Sequence, residues 1–432
     1  KRVKPTSGAM RHLLPEEGGR SGMSSPSTPF PWKGDARRAG GLAESERERS
    51  QPPALCATSF QWKERNNHFP RCRKGAEPIM SSDRMMEYYY SMGQDCLTNG
   101  ALDDAVTYFR KAANMGADEA AYEICAIGRQ METGDGVEKN EEKAESCYKI
   151  GVEYGIEKAS LYLGEMYLRG IHGGKPNPRK ARRALEDASD MGNREAAALL
   201  GKAYDEGLLG KVNPKQAFRY YLLAAERGDT SSMLMIGLFY AQGTSVAKDL
   251  TAAEMWIRKG REEGDDDGDQ TLRVFLSVAS SEYITGAAGK VDPAKAWQMA
   301  EEAEALGDKD VFYRLGKTYS AASNQKDHLP KAFECYKRAA ENGIPAAMAA
   351  LGLCYEAGLG IEEDIARAVS FYKKSAEAGD PFGMAHYGYA LANGEGCEKN
   401  EKAAMSWLIK AAMRGDQGAI LTLKEDYGYE MK

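Results

Sequence analysis

The stretch NGEGCEKNEKAAMSWLIKAAMRGD, residues 393–416, places two glycines and several charged residues directly before an alanine-rich amphipathic segment. Glycines in this position are typical of loops whose backbone N–H groups surround a phosphate at the start of a helix. A phosphate-binding loop of this type also needs a lysine directly after its last glycine. Gly396 is followed by Cys397, so the stretch lacks that lysine and we do not predict a nucleotide site.

The other residues that could do chemistry do not form a recognisable catalytic motif. The five histidines share no motif, and the sequence contains no H-E-x-x-H, G-x-S-x-G or C-x-x-C pattern. We interpret His386 as a packing residue of a helix, and the eight irregularly spaced cysteines as reduced thiols, with Cys147 and Cys335 at a packing position. We therefore predict no catalytic residue, no metal site and no cofactor. An enzyme with an unrecognised site stays open as an alternative.

The acidic run EEGDDDGDQ, residues 262–270, suggests a cation site. With Gly268 at the sixth position of an EF-hand type of loop, Val274 stands where the bidentate glutamate belongs. We therefore favour a solvated turn between repeats over a calcium site. An acidic docking loop for a partner is the other interpretation.

The glycine-rich corner recurs along the chain, which indicates a repeat protein and not a single binding loop. The alanine at position 404 has counterparts in register at Ala144, Ala181, Ala217, Ala253, Ala296, Ala332 and Ala368. Their spacings are 36 or 37 residues, except for one of 43. The sequence therefore predicts a solenoid with one seven-residue insertion, which coincides with the acidic run.

Each unit is predicted to form two helices, A and B, joined by a corner in which glycine ends helix A and Asn or Asp caps helix B. In one unit helix A runs from about Ala346 to Ala357. A glycine recurs in the middle of helix A, where it costs ~1 kcal/mol relative to alanine, and we expect it to allow a close approach of helix B. The positions are Gly128, Gly164, Gly201, Gly237, Gly316, Gly352 and Gly388, with Ser280 in the sixth unit.

These positions together give the pattern A-x-x-x-L-G-x-x-Y…G-x-G-V…D/N-x-x-K-A-x-x-W/Y-Y-x-K-A-A-x-x-G, which resembles the Sel-one-like repeat, a relative of the tetratricopeptide repeat. The resemblance covers about Met86 to Ala419 as nine helix pairs. It implies an all-α protein, a right-handed α-solenoid (superhelix) of about nine antiparallel helix pairs. Ser280 and the shortened corner LTNGALDDA of the first pair depart from the pattern.

The same resemblance implies a non-enzymatic adaptor or scaffold that binds a protein or peptide in the concave groove of the solenoid. By register, the groove-lining residues of helix A are Arg129, Glu132, Glu165, Arg169, Lys202, Asp205, Glu206, Lys317, Glu356, Tyr389 and Asn393. Their mixed charge favours a protein or peptide over a nucleic acid. A nucleic-acid-binding helical repeat is the second hypothesis, and salt-dependent retention on heparin or RNA would distinguish it.

Composition divides the chain into two parts. Residues 1–79 carry 15 Lys and Arg against 8 Asp and Glu, whereas residues 80–432 have a net charge of −13. We predict a disordered, basic segment over 1–82, with Met80 as the native start in one interpretation, and the repeat array over 83–432. An arm that binds a nucleic acid or an acidic partner is the functional alternative for the basic segment. Neither a signal peptide nor a membrane span is apparent in the sequence, so we predict a cytoplasmic protein, with a homo-oligomer as one possibility.

Overall fold

The computed structural model describes residues 81–287, 289–322 and 328–429, and those ranges contain nineteen α-helices and no strand, which confirms the all-α prediction. The predicted disordered segment lies outside the described residues apart from Ser81 and Ser82. A short 3-10 helix, Ile171–Gly173, follows the α-helix Glu157–Arg169. The helices are α1 (Ser82–Thr98), α2 (Leu102–Ala113), α3 (Asp118–Thr133), α4 (Glu141–Glu153), α5 (Glu157–Arg169), α6 (Pro178–Asp190), α7 (Arg194–Asp205), α8 (Pro214–Glu226), α9 (Thr230–Gln242), α10 (Leu250–Glu262), α11 (Gly268–Thr285), α12 (Pro293–Ala305), α13 (Val311–Ala321), α14 (His328–Glu341), α15 (Pro345–Ala357), α16 (Ile365–Glu377), α17 (Pro381–Asn393), α18 (Glu401–Met413) and α19 (Gln417–Tyr427).

Odd-numbered helices are the A helices of successive repeats and even-numbered helices are the B helices, so α17 and α18 form the ninth pair and α19 follows it. The described chain separates into two compact units, 81–127 and 128–429, with the boundary inside α3. In the larger unit, each helix from α4 to α18 packs against the next helix in the chain. Such nearest-neighbour packing is what a solenoid requires, because a short isolated helix is marginal in water.

In the unit 81–127, α1 and α2 meet at Gly93. A Cβ atom built on Gly93 would lie 2.7 Å from the Phe109 ring, and Phe109 itself is fully buried. The Nε2 atom of Gln94 donates a hydrogen bond to Glu123 at 3.0 Å, which links α1 to the start of α3. The first repeat therefore packs by a contact at the mid-helix glycine, despite its shortened corner.

The mid-helix glycines mark the closest approach of helices A and B in the unit 128–429. A Cβ atom built on Gly201 would lie 2.6 Å from the Tyr221 ring, and one on Gly164 would lie 2.4 Å from Leu185. The corresponding positions that also come within 3.0 Å of a helix-B side chain are Gly128, Gly237, Gly316, Gly352 and Gly388. The predicted close approach is confirmed, and the packing that it permits offsets the cost of glycine in a helix.

Ser280, which departs from the glycine pattern, is matched by a small residue on the partner helix. The position that holds Tyr221 in α8 holds Ala300 in α12, and both Ser280 and Ala300 are fully buried. The Ser280 hydroxyl donates to the Ser277 carbonyl oxygen at 2.8 Å, so its polar atom is satisfied within its own helix. The sixth repeat therefore has a larger residue on helix A and a smaller one on helix B than the other repeats, and the two helices remain packed.

The corners end one helix and cap the next, as the sequence predicts. Gly394 is left-handed with φ 74° at the end of α17, and the Asn400 side chain accepts from the Ala403 N–H at 2.9 Å at the start of α18. Asn177 and Asp292 cap α6 and α12 in the same way, each directly before a proline. The glycines and charged residues of 393–416 thus form a corner between two helices.

The acidic insertion lengthens a helix as well as forming a turn. Helix α11 has 18 residues against 13 in α9, because it begins at Gly268. The interpretation of 262–270 as a solvated turn is therefore wrong for Glu262, which ends α10, and for its last three residues, which form the first turn of α11. Asp265 accepts hydrogen bonds from the Thr230 hydroxyl at 3.0 Å and the Ser231 hydroxyl at 2.9 Å, and Asp269 pairs with Arg261. These bonds fasten the insertion to α9 and α10.

Replacing Gly352 with alanine is expected to destabilise the protein. The new Cβ would lie 2.5 Å from the rigid Tyr372 ring. Overpacking of this kind costs about 1 to 3 kcal/mol, which exceeds the ~1 kcal/mol that alanine gains in helix propensity. Urea denaturation followed by circular dichroism measures the difference. The control is Ser370→Ala on the exposed side of α16, which should change the free energy of unfolding by less than about 0.5 kcal/mol. An unchanged or raised midpoint for Gly352→Ala would contradict the close contact.

Candidate partner-binding face

The exposed side of the A helices carries a row of apolar side chains beside a row of mainly polar ones. We define the A-face as the residues two before and one after the mid-helix glycine position on four successive A helices, and all of them are half-exposed or exposed. They are Tyr162 and Glu165 on α5, Leu199 and Lys202 on α7, Met235 and Leu238 on α9, and Val278 and Ser281 on α11. The residue two before the glycine position is apolar in all four repeats.

Exposure at the same register positions changes along the array. In α13 these two positions hold Arg314 and Lys317, and both side chains are exposed. The Lys317 ammonium lies 5.8 Å from the centre of the Tyr313 ring. In α15 and α17 the side chain after the glycine is buried, as Leu353 and Tyr389 respectively. Helices α15 and α17 also contact each other directly. Of the predicted site residues in this region, Lys317 is therefore accessible and Tyr389 is not, and Asn393 is half-exposed at the end of α17.

A polar pair between helices A and B recurs in some repeats. The Tyr148 hydroxyl donates to Glu132 at 2.7 Å, the Tyr372 hydroxyl donates to Glu356, and the Tyr336 and Ser320 hydroxyls lie 3.0 Å apart. In each pair the helix-A residue is four positions after the glycine, and Asp205 and Tyr221 occupy the same positions in a fourth repeat. Where helix B has Leu185, Ile257, Ala300 or Leu408 instead of tyrosine, helix A has Leu168, Ala241, Ile284 or Ala392.

Glu132 lies at the centre of a group of four predicted site residues. We call this group, Arg129, Glu132, Glu165 and Arg169, the Glu132 cluster. Glu132 is only 3% exposed and accepts hydrogen bonds at 2.9 Å from both Arg129 and Arg169. Arg129 also lies 3.8 Å from Glu165, and its guanidinium stacks 4.9 Å from the centre of the Tyr162 ring. The buried carboxylate thus fixes two exposed arginines next to the A-face.

The two glutamates of the Glu132 cluster have opposite pKa shifts. Burial disfavours ionisation of Glu132, but hydrogen bonds from Tyr148, Arg169 and Arg129 outweigh it and keep the pKa of Glu132 below its ordinary value. Glu165 accepts no comparable set of hydrogen bonds, and burial raises its pKa, with Arg129 opposing the shift. Glu132 is therefore a stabilised anion at neutral pH, whereas the ionised form of Glu165 is disfavoured by its surroundings.

The predicted residues of α7 lie together at its C-terminal end. Lys202 and Glu206 are one helical turn apart, with 4.0 Å between the ammonium and carboxylate atoms. Burial, and secondarily the Glu206 charge, raises the pKa of Asp205. Lys202 and Glu206 are both exposed, and an exposed ion pair of this type stabilises a protein by well under about 1 kcal/mol. Lys202 and Glu206 are therefore free to exchange their mutual contact for contacts with a partner.

Glu356 and Tyr389 belong to a second cluster, around the buried ring of His386. The His386 ring stacks on Phe382 with 4.2 Å between centroids and lies 4.8 Å from the Tyr372 ring. Its Nδ1 atom is 3.7 Å from Glu356, and its Nε2 atom has no hydrogen-bond partner among the described residues. Burial disfavours ionisation of Glu356, but the nearby His386 ring and the hydrogen bond from Tyr372 outweigh it and lower the pKa of Glu356. His386 is a packing residue, as predicted, but one of its ring nitrogens is unsatisfied.

Two features of these repeats were not predicted from the sequence, one on the A-face and one between helices A and B. The apolar row of Tyr162, Leu199, Met235 and Val278 was not predicted, although its members share one register position. The pairing of Tyr148 with Glu132 was also missed, although tyrosine on helix B coincides with a polar residue on helix A in every repeat that has it. Within the described ranges, no group of three or more His, Cys, Asp or Glu side chains is arranged to bind a metal ion. No helix in those ranges is both long and apolar enough to cross a membrane.

The repeats identify the family of the chain. The Sel1 repeat family model matches nine segments, 88–116, 118–155, 158–193, 194–229, 230–265, 276–308, 313–344, 345–380 and 381–416. The matches cover well over half of the chain and correspond to the nine helix pairs, so the protein belongs to the Sel1 repeat family. Members of this family are typically protein-interaction scaffolds.

Individual relatives are distant. The chain is 27% identical over 141 residues to chitin synthase regulatory factor 1 of Schizosaccharomyces pombe, which is 32% of this chain and 30% of that protein. The match therefore spans less than a third of that curated relative. Among solved structures, c5321 of uropathogenic Escherichia coli is 27% identical, with 80% of each chain covered and a TM-score of 0.41. A Sel1 repeat protein of Oxalobacter formigenes is 21% identical, with 83% of this chain and 97% of that chain covered and a TM-score of 0.44.

Replacing Glu132 with glutamine is expected to lower stability at neutral pH. A carboxylate with a lowered folded-state pKa contributes stability above its unfolded pKa of about 4.3, and this contribution is lost as the pH falls through the folded pKa. Glu132→Gln should therefore cost about 1 to 3 kcal/mol at pH 7 and less as the pH falls below about 4. Glu165→Gln is the matched comparison, because a raised pKa gives the opposite sign, and it should not destabilise the protein at pH 7. Thermal denaturation between pH 3 and pH 7 tests both. Equal losses in the two variants at pH 7 would contradict the assignment of opposite shifts.

Proposed function

We propose that this protein is a non-enzymatic adaptor that binds a protein or peptide partner along the A-face. The observation that carries the proposal is the apolar row of Tyr162, Leu199, Met235 and Val278 in four successive repeats. Tyr162, Leu199 and Met235 are partly buried against the core, and each keeps part of its side chain accessible. One accessible apolar side chain needs no explanation, whereas the same register position holding an accessible apolar side chain in four successive repeats is typical of an interaction site. Val278 is 45% exposed in the middle of a helix, where a polar residue would be compatible with the fold.

Charged residues border this apolar row, as polar residues border the apolar centre of many protein interfaces. Arg129 and Arg169 lie at one end, already fixed by Glu132, and Lys317 lies beyond the other end. Because Glu132 orders the two guanidinium groups in advance, a partner carboxylate would bind them at a smaller cost in side-chain entropy. These cations offer pairing sites to acidic side chains of a partner, beside the carboxylates of Glu165 and Glu206 that border the same row.

A binding role agrees with the use that the fold makes of its recurring residues. The glycines and tyrosines pack helix A on helix B, and the Asn and Asp residues cap helices. Burial raises the pKa of Tyr148, as does the hydrogen bond to Glu132, so its phenol remains a neutral donor. The recurring polar side chains are thus engaged with one another, and the variation between repeats lies on the exposed A-face, where specificity for a partner would reside.

Substitution of Met235 tests this proposal. Met235→Glu places a charge in the centre of the apolar row, and partner capture by the full chain should fall at least about tenfold. The matched control is Met255→Glu on helix B of the same repeat, where Met255 is 58% exposed. Partners are captured from a lysate of the source organism and crosslinked, and mass spectrometry locates the crosslinks. The proposal requires crosslinks on the A-face that are lost in Met235→Glu and kept in Met255→Glu.

Charge reversal on either side of the row provides a second test. The double variant Lys202→Glu, Lys317→Glu should weaken capture of a partner that pairs carboxylates with these lysines, because Lys202 belongs to the A-face, Lys317 lies beyond its end, and both are exposed. Lys337→Glu, Lys373→Glu is the control with the same net charge, since both residues are exposed on B helices. Equal capture by the two double variants, or crosslinks confined to the B helices, would refute the A-face as the binding surface.

A further inference from the structure

Two neighbouring B helices carry a concentration of positive charge on an otherwise acidic array. Residues 170–185 and 207–225, which include the first two turns of α6 and of α8, contain eight Lys and Arg and no Asp or Glu. Residues 80–432 as a whole have a net charge of −13. We define the basic patch as five exposed side chains of the two helices, Arg179, Arg182, Arg183, Lys215 and Arg219.

Register places four of these side chains on the outer side of the B helices. Two lie two residues before and after Ala181, and two lie two residues before and after Ala217. Both alanines are fully buried, and two residues correspond to about 200° around a helix, so the four side chains point away from the core. The other B helices with an in-register alanine lack a basic residue at one or both positions, which hold Glu142 and Ser146, Thr251 and Met255, Ala294 and Gln298, Pro330 and Glu334, Ala366 and Ser370, and Lys402 and Ser406.

Helices α6 and α8 lie side by side, so their cations adjoin. The Tyr220 hydroxyl of α8 donates to the Glu186 carboxylate of α6 at 3.4 Å. Arg227, which directly follows α8, donates to the Ser189 carbonyl oxygen of α6 at 2.9 Å. The positive charges of the two helices therefore form one surface across two successive repeats.

The cations of the basic patch have no carboxylate partners. Among the described residues, none of the five forms an ion pair or a side-chain hydrogen bond, although the Arg219 guanidinium lies 5.8 Å from the centre of the Tyr220 ring. Two B helices further on, Glu254 of α10 lies 3.3 Å from Lys295 of α12. The same register positions of α6 and α8 hold Arg182 and Gln216. A cation therefore replaces the carboxylate at this junction.

We propose that the basic patch binds a short acidic segment of a partner protein, which runs across α6 and α8 and pairs its carboxylates with these cations. Four of the five side chains are arginines, and a guanidinium binds a carboxylate through two parallel hydrogen bonds. Packed helices lie about 8 to 10 Å apart, and an extended chain rises about 3.3 Å per residue. A segment of about six residues is therefore long enough to reach the cations of both helices.

The surroundings of the basic patch favour a narrow anionic partner. Asp190 of α6 and Glu226 of α8 are exposed on the same outer side, nine residues after the buried alanines. Glu142 of α4 holds the position of Arg179 one repeat earlier, and it is also exposed. A nucleic-acid duplex or an anionic membrane spreads its negative charge over a wide surface and would also meet these carboxylates. An acidic segment that crosses the first two turns of α6 and α8 meets the cations alone.

Fluorescence anisotropy of a labelled octaglutamate peptide with the full chain tests the proposal. Arg179→Glu, Lys215→Glu reverses one charge on each helix and should raise the dissociation constant at least about tenfold. Both substitutions place an acidic residue in the first turn of a helix, where the helix dipole favours it, so the melting temperature should not fall. Lys337→Glu, Lys373→Glu makes the same change in net charge on other B helices and should change the dissociation constant less than about twofold. An octaglutamine peptide should not bind.

Three results would overturn the proposal. One is a wild-type chain that does not bind octaglutamate at low ionic strength. Another is an equal dissociation constant for the two double variants, because the peptide would then bind elsewhere, for example to the basic residues of 1–79. The third is tighter binding of an RNA duplex or of phosphatidylserine vesicles than of octaglutamate, with that binding lost in Arg179→Glu, Lys215→Glu. None of these substitutions alters the A-face, so the adaptor function proposed above is judged by its own tests.

Discussion

The contact between a mid-helix glycine and a large side chain on the partner helix is the constraint on which the rest of the array depends. It sets the separation of helices A and B in each repeat, because the atoms of Tyr221 or Leu185 occupy the space that a Cβ atom would need. The sixth repeat shows that the constraint concerns total volume, since Ser280 on one helix is matched by Ala300 on the other. Closely packed interiors tolerate such exchanges when volume is conserved.

This packing contact also determines part of the surface chemistry. A tyrosine at the helix-B position carries its hydroxyl past the glycine to the residue one turn further along helix A. That residue must then be polar, as Glu132, Ser320 and Glu356 are, because a buried hydroxyl without a partner is costly. In the second repeat Glu132 also accepts hydrogen bonds from Arg129 and Arg169, and these bonds order the two guanidinium groups beside the A-face. A core residue thus selects a charged group on the candidate binding surface.

The sequence predicted those features that repeat in register. The glycine contacts, the Asn and Asp caps and the helix pairs recur in register, so each copy supports the interpretation of the others. The Glu132 cluster combines residues of different repeats, and Arg169 lies 37 residues from its partner, so a single unit does not contain it. The extension of α11 occurs once and has no counterpart to compare. The burial of Tyr389 depends on the core cluster that it shares with Leu408 of α18 and Leu423 of α19, which local spacing does not specify.

Neighbouring B helices also contact one another, and these contacts help to align the sixth repeat with its neighbours, although Ala300 gives it little apolar volume opposite Ser280. Helix α12, whose Ala300 replaces a large residue, receives Arg258 from the preceding repeat and Arg338 from the following one. Each arginine forms paired hydrogen bonds with a glutamate, a geometry that adds directional specificity. These ion pairs are partly exposed, so their contribution to stability is modest, but they distinguish the correct neighbour from a shifted one. Charged B-helix surfaces therefore specify the order of repeats inside the array.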